Sequence, residues 1–317
     1  MKFKCIDLFS GIGGFSYALQ SIAETITYCE IDENCQKVLI KNSNIPIIDD
    51  VKNFDTSKFK DANMITAGFP CTNISTANKS AKGIRGKNSN LFFKILNIID
   101  DIPNINILLL ENSPFIKFRG LNIVIKELEK RNFKCVWGYF SANMVGAIHL
   151  RRRWYCLCYK NNIDWPKLGI YKHNWTKNIK RLVNKNQTNL LRNKMLGNSV
   201  VPQVVQLAYN ILSSYATNNI TGEIQYKPEI NSKFNITLSD GYKKYIKNYW
   251  ATPVYSTWHQ YRKLTKRSTT ILSNQIYYEE NTICNENIPI NQRSKFYDIN
   301  PKFIENLMGY PKDWTRF

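Results

Sequence analysis

Phe3-Lys4-Cys5-Ile6-Asp7-Leu8-Phe9-Ser10-Gly11-Ile12-Gly13-Gly14-Phe15 opens the chain and decides how the rest is read. Phe3 to Phe9 is apolar enough to be a buried strand, and Ser10 to Gly14 is a glycine loop. A helix is expected from Phe15 to about Ala23, with Phe15, Ala18, Leu19 and Ile22 on one face. Glycines let the backbone approach a ligand, and the helix start offers free amides to an anionic group. An ordinary tight turn fits the loop equally well. The next strand, Ile26 to Ile31, runs into Glu30 and Asp32, near the spacing at which an acid grips ribose hydroxyls. Loop and acid together favour a nucleoside-containing cofactor.

Further apolar strands are expected at Ile45–Ile48, Met64–Ala67, Ile105–Leu110, Phe133–Ala142 and Trp154–Tyr159. Helices are expected from near Ser89 and over Arg119–Arg131. Strands followed by helices read as an open α/β sheet. Ligands gather at the carboxyl ends of such strands. Asp49-Asp50 follow one of these ends, Ala67-Gly68-Phe69-Pro70-Cys71 another, and Glu111-Asn112 a third. Proline forces the chain out of the sheet and presents Cys71 in a loop, where a thiol can act as a nucleophile. A buried structural thiol is the plainer reading of that run alone.

The chain has 317 residues, 43% of them hydrophobic, and a net charge of +20. Such length suits one large domain or a domain with a smaller partner. The charge favours a polyanionic partner, nucleic acid first, although a lysine-rich solubilising surface also carries it. No membrane span or signal peptide is expected, which places the protein inside a cell. Eight cysteines without a C-x-x-C pair read as reduced thiols, with no disulfide frame and no zinc site.

His149-Leu150-Arg151-Arg152-Arg153 leads into the Trp154 strand, and alternation puts Arg151 and Arg153 on one face. Two guanidinium groups there can hold a phosphate or an electron-rich base. Lys160 to Lys194 carries nine Lys or Arg against one Asp, interleaved with Trp165, Tyr171 and Trp175, as phosphate contacts with stacking would require. Gly197-Asn198-Ser199-Val200-Val201-Pro202 precedes a helix reaching about Ser214. Beyond it the composition turns polar, then basic and aromatic at Tyr242–Tyr245 and Trp258–Lys263. A short helix closes the chain within Asn300–Pro311.

In series, Asp7 to Phe15, Glu30-Ile31-Asp32, Gly68 to Cys71, Glu111-Asn112, Arg151-Arg152-Arg153 and Gly197 to Pro202 resemble the ordered motifs of the DNA cytosine-5 methyltransferases. The resemblance covers about the first two thirds of the chain. It implies a doubly wound, mostly parallel Rossmann-like sheet, a smaller irregular target-recognition region, and S-adenosylmethionine as cofactor. Implied cofactor positions are Phe9, Gly11, Gly13, Gly14, Phe15, Glu30, Asp50, Pro70, Leu91, Asn198 and Val200. Implied catalytic positions are Cys71 as nucleophile, Glu111 as acid, and Arg153 on the carbonyl oxygen with Arg151 in support. Thr72 and His149 stand where the family usually has glutamine. The segment similar to the family's Leu-x-Gly-Phe-Pro region falls at Asn300–Trp314, beyond the last cofactor motif.

The expected organisation is a catalytic domain at 1–217, with 160–194 a short basic DNA-contact insert. Residues 218–317 are expected to supply part of target recognition. The expected partner is double-stranded DNA, with a cognate restriction endonuclease acting separately, no membrane, and a monomeric enzyme. A bacterial cytoplasm or an infected host cell is the expected setting. A transfer RNA cytosine methyltransferase and a catalytically silent DNA-binding protein of the same fold are the competing readings.

Overall fold

A computed structural model describes residues 2–70, 91–161, 163–175, 179, 182–226 and 297–317. Cys71, Thr72 and the basic loop Gly83–Asn88 lie outside the described residues, as do Tyr242–Tyr245 and Trp258–Lys263. The chain divides into two compact units, both discontinuous in sequence. One comprises Met1–Phe140, Arg152–Tyr171 and Pro202–Tyr226; the other comprises Ser141–Arg151, Lys172–Val201 and Lys227–Phe317.

The first unit is built on strands β1 (Phe3–Leu8), β2 (Ala23–Cys29), β3 (Ile47–Ile48), β4 (Met64–Gly68) and β5 (Ile107–Asn112). Strands β6 (Lys134–Ser141), β7 (Arg152–Tyr159) and β9 (Gly222–Glu223) extend the sheet. The order is β3-β2-β1-β4-β5-β7-β6-β9. Strands β1 to β5 pair in parallel, and β7 runs antiparallel to β5. The order reverses direction between β2-β1 and β1-β4, the switch point at which open α/β sheets bind ligands. Ile107 to Leu110 are wholly buried, as a strand covered on both faces must be, and each such side chain contributes about 1.5–3 kcal/mol.

Helix α1 (Gly14–Leu19) follows the glycine loop and is shorter than its sequence pattern predicts, because β2 already begins at Ala23. Helix α2 (Glu33–Asn42) is capped by Asp32, whose carboxylate accepts from the amides of Asn34 and Cys35. That cap engages one oxygen of Asp32, and Glu30 stands at the end of β2. Helices α3 (Leu91–Asp101), α4 (Ile116–Arg119) and α5 (Leu121–Glu129) connect β4 to β6, and α7 (Pro202–Thr217) packs on α1.

The second unit joins β8 (Leu182–Asn184) antiparallel to β10 (Tyr297–Ile299). Helix α6 (Gln187–Asn198) packs on α8 (Pro301–Leu307). Gly197 and Asn198 are therefore the last turn of a helix and not a free loop. A buried pair holds the two helices: Arg192 donates to Glu305 at 2.8 Å and to the Thr315 hydroxyl at 3.0 Å, while Asn193 donates to the Ile299 carbonyl. Among the described residues no helix is long and apolar enough to cross a membrane.

Candidate active site

The parallel register brings Phe9, Glu30 and Pro70, three of the expected cofactor residues, to one edge of the first unit. Leu8 pairs with Cys29 and with Ala67, and Gly68 pairs with Glu111. Phe9, Glu30, Phe69-Pro70 and Glu111 thus all leave the sheet at its carboxyl edge. Phe9 is held in the left-handed region at φ 54, a conformation costing a bulky residue about 1–3 kcal/mol. Gly11 has the same φ, and a Cβ there would meet nothing within 4 Å, so open space lies above the loop. Gly13 is required twice: its φ is +79, and a Cβ would stand 3.1 Å from Leu39.

Glu30 is anchored, not free. Its carboxylate accepts from the Gly11 amide at 2.7 Å and from the Asp32 amide at 2.8 Å. Burial raises its pKa, with these backbone donors working in the opposite direction. Ile31, the next residue, is 70% exposed. An open glycine loop, a fixed carboxylate and a bare apolar side chain form a cradle that fits an adenosine-containing group. Asp50 caps a short turn by accepting from the Lys52 amide, and Leu91 is the first residue of α3.

Because β7 is antiparallel, its first residues arrive beside the end of β5, with Glu111 opposite Tyr155 and Asn112 opposite Trp154. Arg153 Nε consequently lies 3.2 Å from Glu111 Oε1. On the other face the Arg152 guanidinium sits 4.9 Å over the Tyr139 ring. Gly68 makes room for the acid, since a Cβ there would be 3.3 Å from Glu111 Oε2. Asn112, unassigned by its sequence, donates to the Phe69 carbonyl at 3.2 Å and so fixes the backbone that leads through Pro70 towards Cys71.

The alternation expected for the arginines does not extend to Arg151, which precedes β7 and belongs to the second unit. Its buried guanidinium donates to the Gly197 carbonyl at 3.0 Å and the Ser199 carbonyl at 2.5 Å. It therefore shapes the turn carrying exposed Asn198 and buried Val200. His149 is wholly buried and bonds the Leu307 carbonyl at 2.6 Å.

The aromatics of the basic stretch pack against protein. Trp165 meets Tyr159 and Tyr209 edge-on, Tyr171 lies 5.3 Å from Tyr17, and Trp175 donates to the Val145 carbonyl. Lys167, Lys172 and Lys185 remain exposed.

A Rossmann-like sheet with a reversed β7, a glycine loop and an acid at the end of β2 defines the S-adenosylmethionine-dependent methyltransferase class. The family model "C-5 cytosine-specific DNA methylase" matches residues 3–317, and the chain belongs to that family. S-adenosylmethionine is the family's methyl donor. Type II methyltransferase M.CviJI of Paramecium bursaria Chlorella virus IL3A is 31% identical over 277 residues, 80% of this chain and 71% of that protein. Type II methyltransferase M2.BsuMI of Bacillus subtilis (strain 168) is 35% identical over 159 residues, 47% of this chain and 40% of that one. The chain thus spans well under half the length of this bacterial relative. The S. pombe Dnmt2 methyltransferase structure has 22% identity and a TM-score of 0.44, covering 51% of each chain. The family model and the type II relatives favour neither the transfer RNA reading nor the silent one.

Proposed function

We propose that the chain methylates carbon 5 of a flipped-out cytosine in duplex DNA, with Cys71 as nucleophile and the Glu111–Arg153 pair as the electrophilic side of the site. The observation that carries this reading is that pair, held over Gly68 on the strand whose chain continues through Pro70 to Cys71. Phe9, Gly11, Gly13, Gly14, Phe15, Glu30, Asp50, Pro70, Leu91, Asn198 and Val200 would hold the cofactor, and Ile31 adds an apolar contact. S-adenosylmethionine supplies the methyl that carbon 5 takes up.

Carbon 5 of cytosine is a weak nucleophile, so the Cys71 thiolate adds to carbon 6 and pushes an electron pair into the ring. Glu111 gives a proton to ring nitrogen 3, and Arg153 holds the carbonyl oxygen where charge accumulates. After methylation, loss of the carbon 5 proton expels the thiolate and restores the aromatic ring. Extruding the base costs about a few kcal/mol, offset by phosphate contacts that a basic protein can make. Residues 218–317 supply part of target recognition, and exposed lysines of 160–194 contact DNA. The setting is restriction-modification or viral genome modification, with a monomeric enzyme in a bacterial cytoplasm or infected cell and any endonuclease acting separately.

Duplex DNA carrying 5-fluorocytosine tests the chemistry, because fluorine cannot leave and the adduct persists. Cys71→Ala abolishes the adduct while duplex binding survives. An undiminished adduct in that variant refutes the assignment. Bisulfite sequencing of DNA from expressing cells then reads base and site together.

A further inference from the structure

Away from the cofactor edge, three thiols converge inside the first unit. Cys156 and Cys158 of β7 lie with their sulfurs 3.3 Å apart, and Cys135 of β6 joins them, all three sulfurs within 4.8 Å of one another. All are buried in the core that also contains Leu108, Leu110, Leu128 and Phe133. No other group of three or more His, Cys, Asp or Glu comes together in this way among the described residues. We propose that Cys135, Cys156 and Cys158 form a three-thiolate site for a soft divalent cation of the zinc or cadmium class.

Geometry supports the assignment. A metal–sulfur bond of about 2.3 Å places sulfurs about 3.8–4.0 Å apart in tetrahedral or trigonal arrangements, about half an ångström more than the Cys156–Cys158 separation and inside the 4.8 Å within which all three sulfurs lie. Sulfur ligands without oxygen or nitrogen select soft metals. Charge decides between monovalent and divalent ions. Three metal–sulfur bonds form as three thiol protons leave to solvent, so a divalent ion leaves the site singly negative and a monovalent ion doubly so. In an apolar core the smaller charge is the less costly. Among the described residues Cys5 and Cys29 stand in no such group. A bound ion would pin β6 to β7, the strand that carries Arg153.

The test is titration of the reduced full chain with cadmium chloride, followed by sulfur-to-cadmium charge-transfer absorbance and native mass spectrometry. One cadmium per chain is expected, and Cys135→Ala lowers occupancy by about tenfold or more. No uptake by the unaltered chain, or equal uptake by Cys135→Ala, overturns the proposal. X-ray absorption at the cadmium edge needs no variant: three sulfur neighbours are expected, and a shell dominated by oxygen or nitrogen overturns it.

Discussion

Replacing Arg151 by methionine keeps most of the buried volume and removes the donors that hold the Gly197 and Ser199 carbonyls at 3.0 and 2.5 Å. A hydrogen bond from a charged donor contributes about 1.5–3 kcal/mol, and part of the loss is returned because a buried charge disappears. A net local cost of about 3 kcal/mol follows, equivalent to roughly a hundredfold more frequent opening of the turn. Hydrogen exchange read by mass spectrometry should show the amides of Ser199 and Val200 exchanging about that much faster. If Asn198 and Val200 hold the cofactor, the KM for S-adenosylmethionine rises in the same variant. Arg151→Lys keeps the charge but offers a point donor in place of a fork, so it recovers only part of the protection. Exchange within about threefold of the unaltered protein would show that the guanidinium does not hold the turn.

Gly68→Ala sets a methyl 3.3 Å from Glu111 Oε2. A displacement of a few tenths of an ångström should cost about three- to tenfold in kcat for tritiated methyl transfer, with little change in melting, and an unchanged kcat would be incompatible with a tightly placed acid. Asp7 is wholly buried and accepts from the Thr66 hydroxyl at 2.6 Å, and burial raises its pKa from 3.8 to about 8. Between those values the folded state holds a proton that the unfolded chain releases, so stability falls as pH rises, by at most about 1.4 kcal/mol per unit, and levels off above the folded value. Asp7→Asn should flatten melting temperature against pH from about 5 to 8; an identical slope would remove Asp7 as the source. Glu305→Leu leaves Arg192 buried without its carboxylate and should cost about 3–5 kcal/mol in denaturant unfolding, while Arg192→Met with Glu305→Leu restores only the part due to the orphaned guanidinium, because the amides of Asp313 and Thr315 also lose that carboxylate. A double variant no more stable than the single one would contradict that account.

The legible parts of this protein are those whose physics is local. An apolar run followed by Ser10 to Gly14 announces a strand and a tight loop because each residue's own conformational range dictates it. The span of β4 follows from the same reasoning, whereas β7 begins at Arg152, two residues ahead of its apolar run. Helix α2 goes unread, although Cys35, Val38 and Leu39 give it a buried period and Asp32 caps it. Helix α6 is different. Its buried side includes Arg192 and Asn193, made tolerable by Glu305 and the Ile299 carbonyl more than a hundred positions away. A polar side chain satisfied at long range leaves no apolar stripe, and the segment reads as structureless.

The site divides along the same line. Glu111 and Arg153 are each visible as a charge beside a strand, yet nothing local says that β7 runs against β5. Direction is what matters: a parallel β7 would put Arg153 at the opposite edge, far from the acid. The loop between Ser141 and Arg152 is too short for a parallel crossover of a dozen or more residues, so β6 and β7 must run in opposite directions. That hairpin also brings Cys135 beside Cys158 and Cys156, a meeting that separations along the chain conceal. One reversal therefore accounts both for the pair at the proposed catalytic edge and for the thiols in the core.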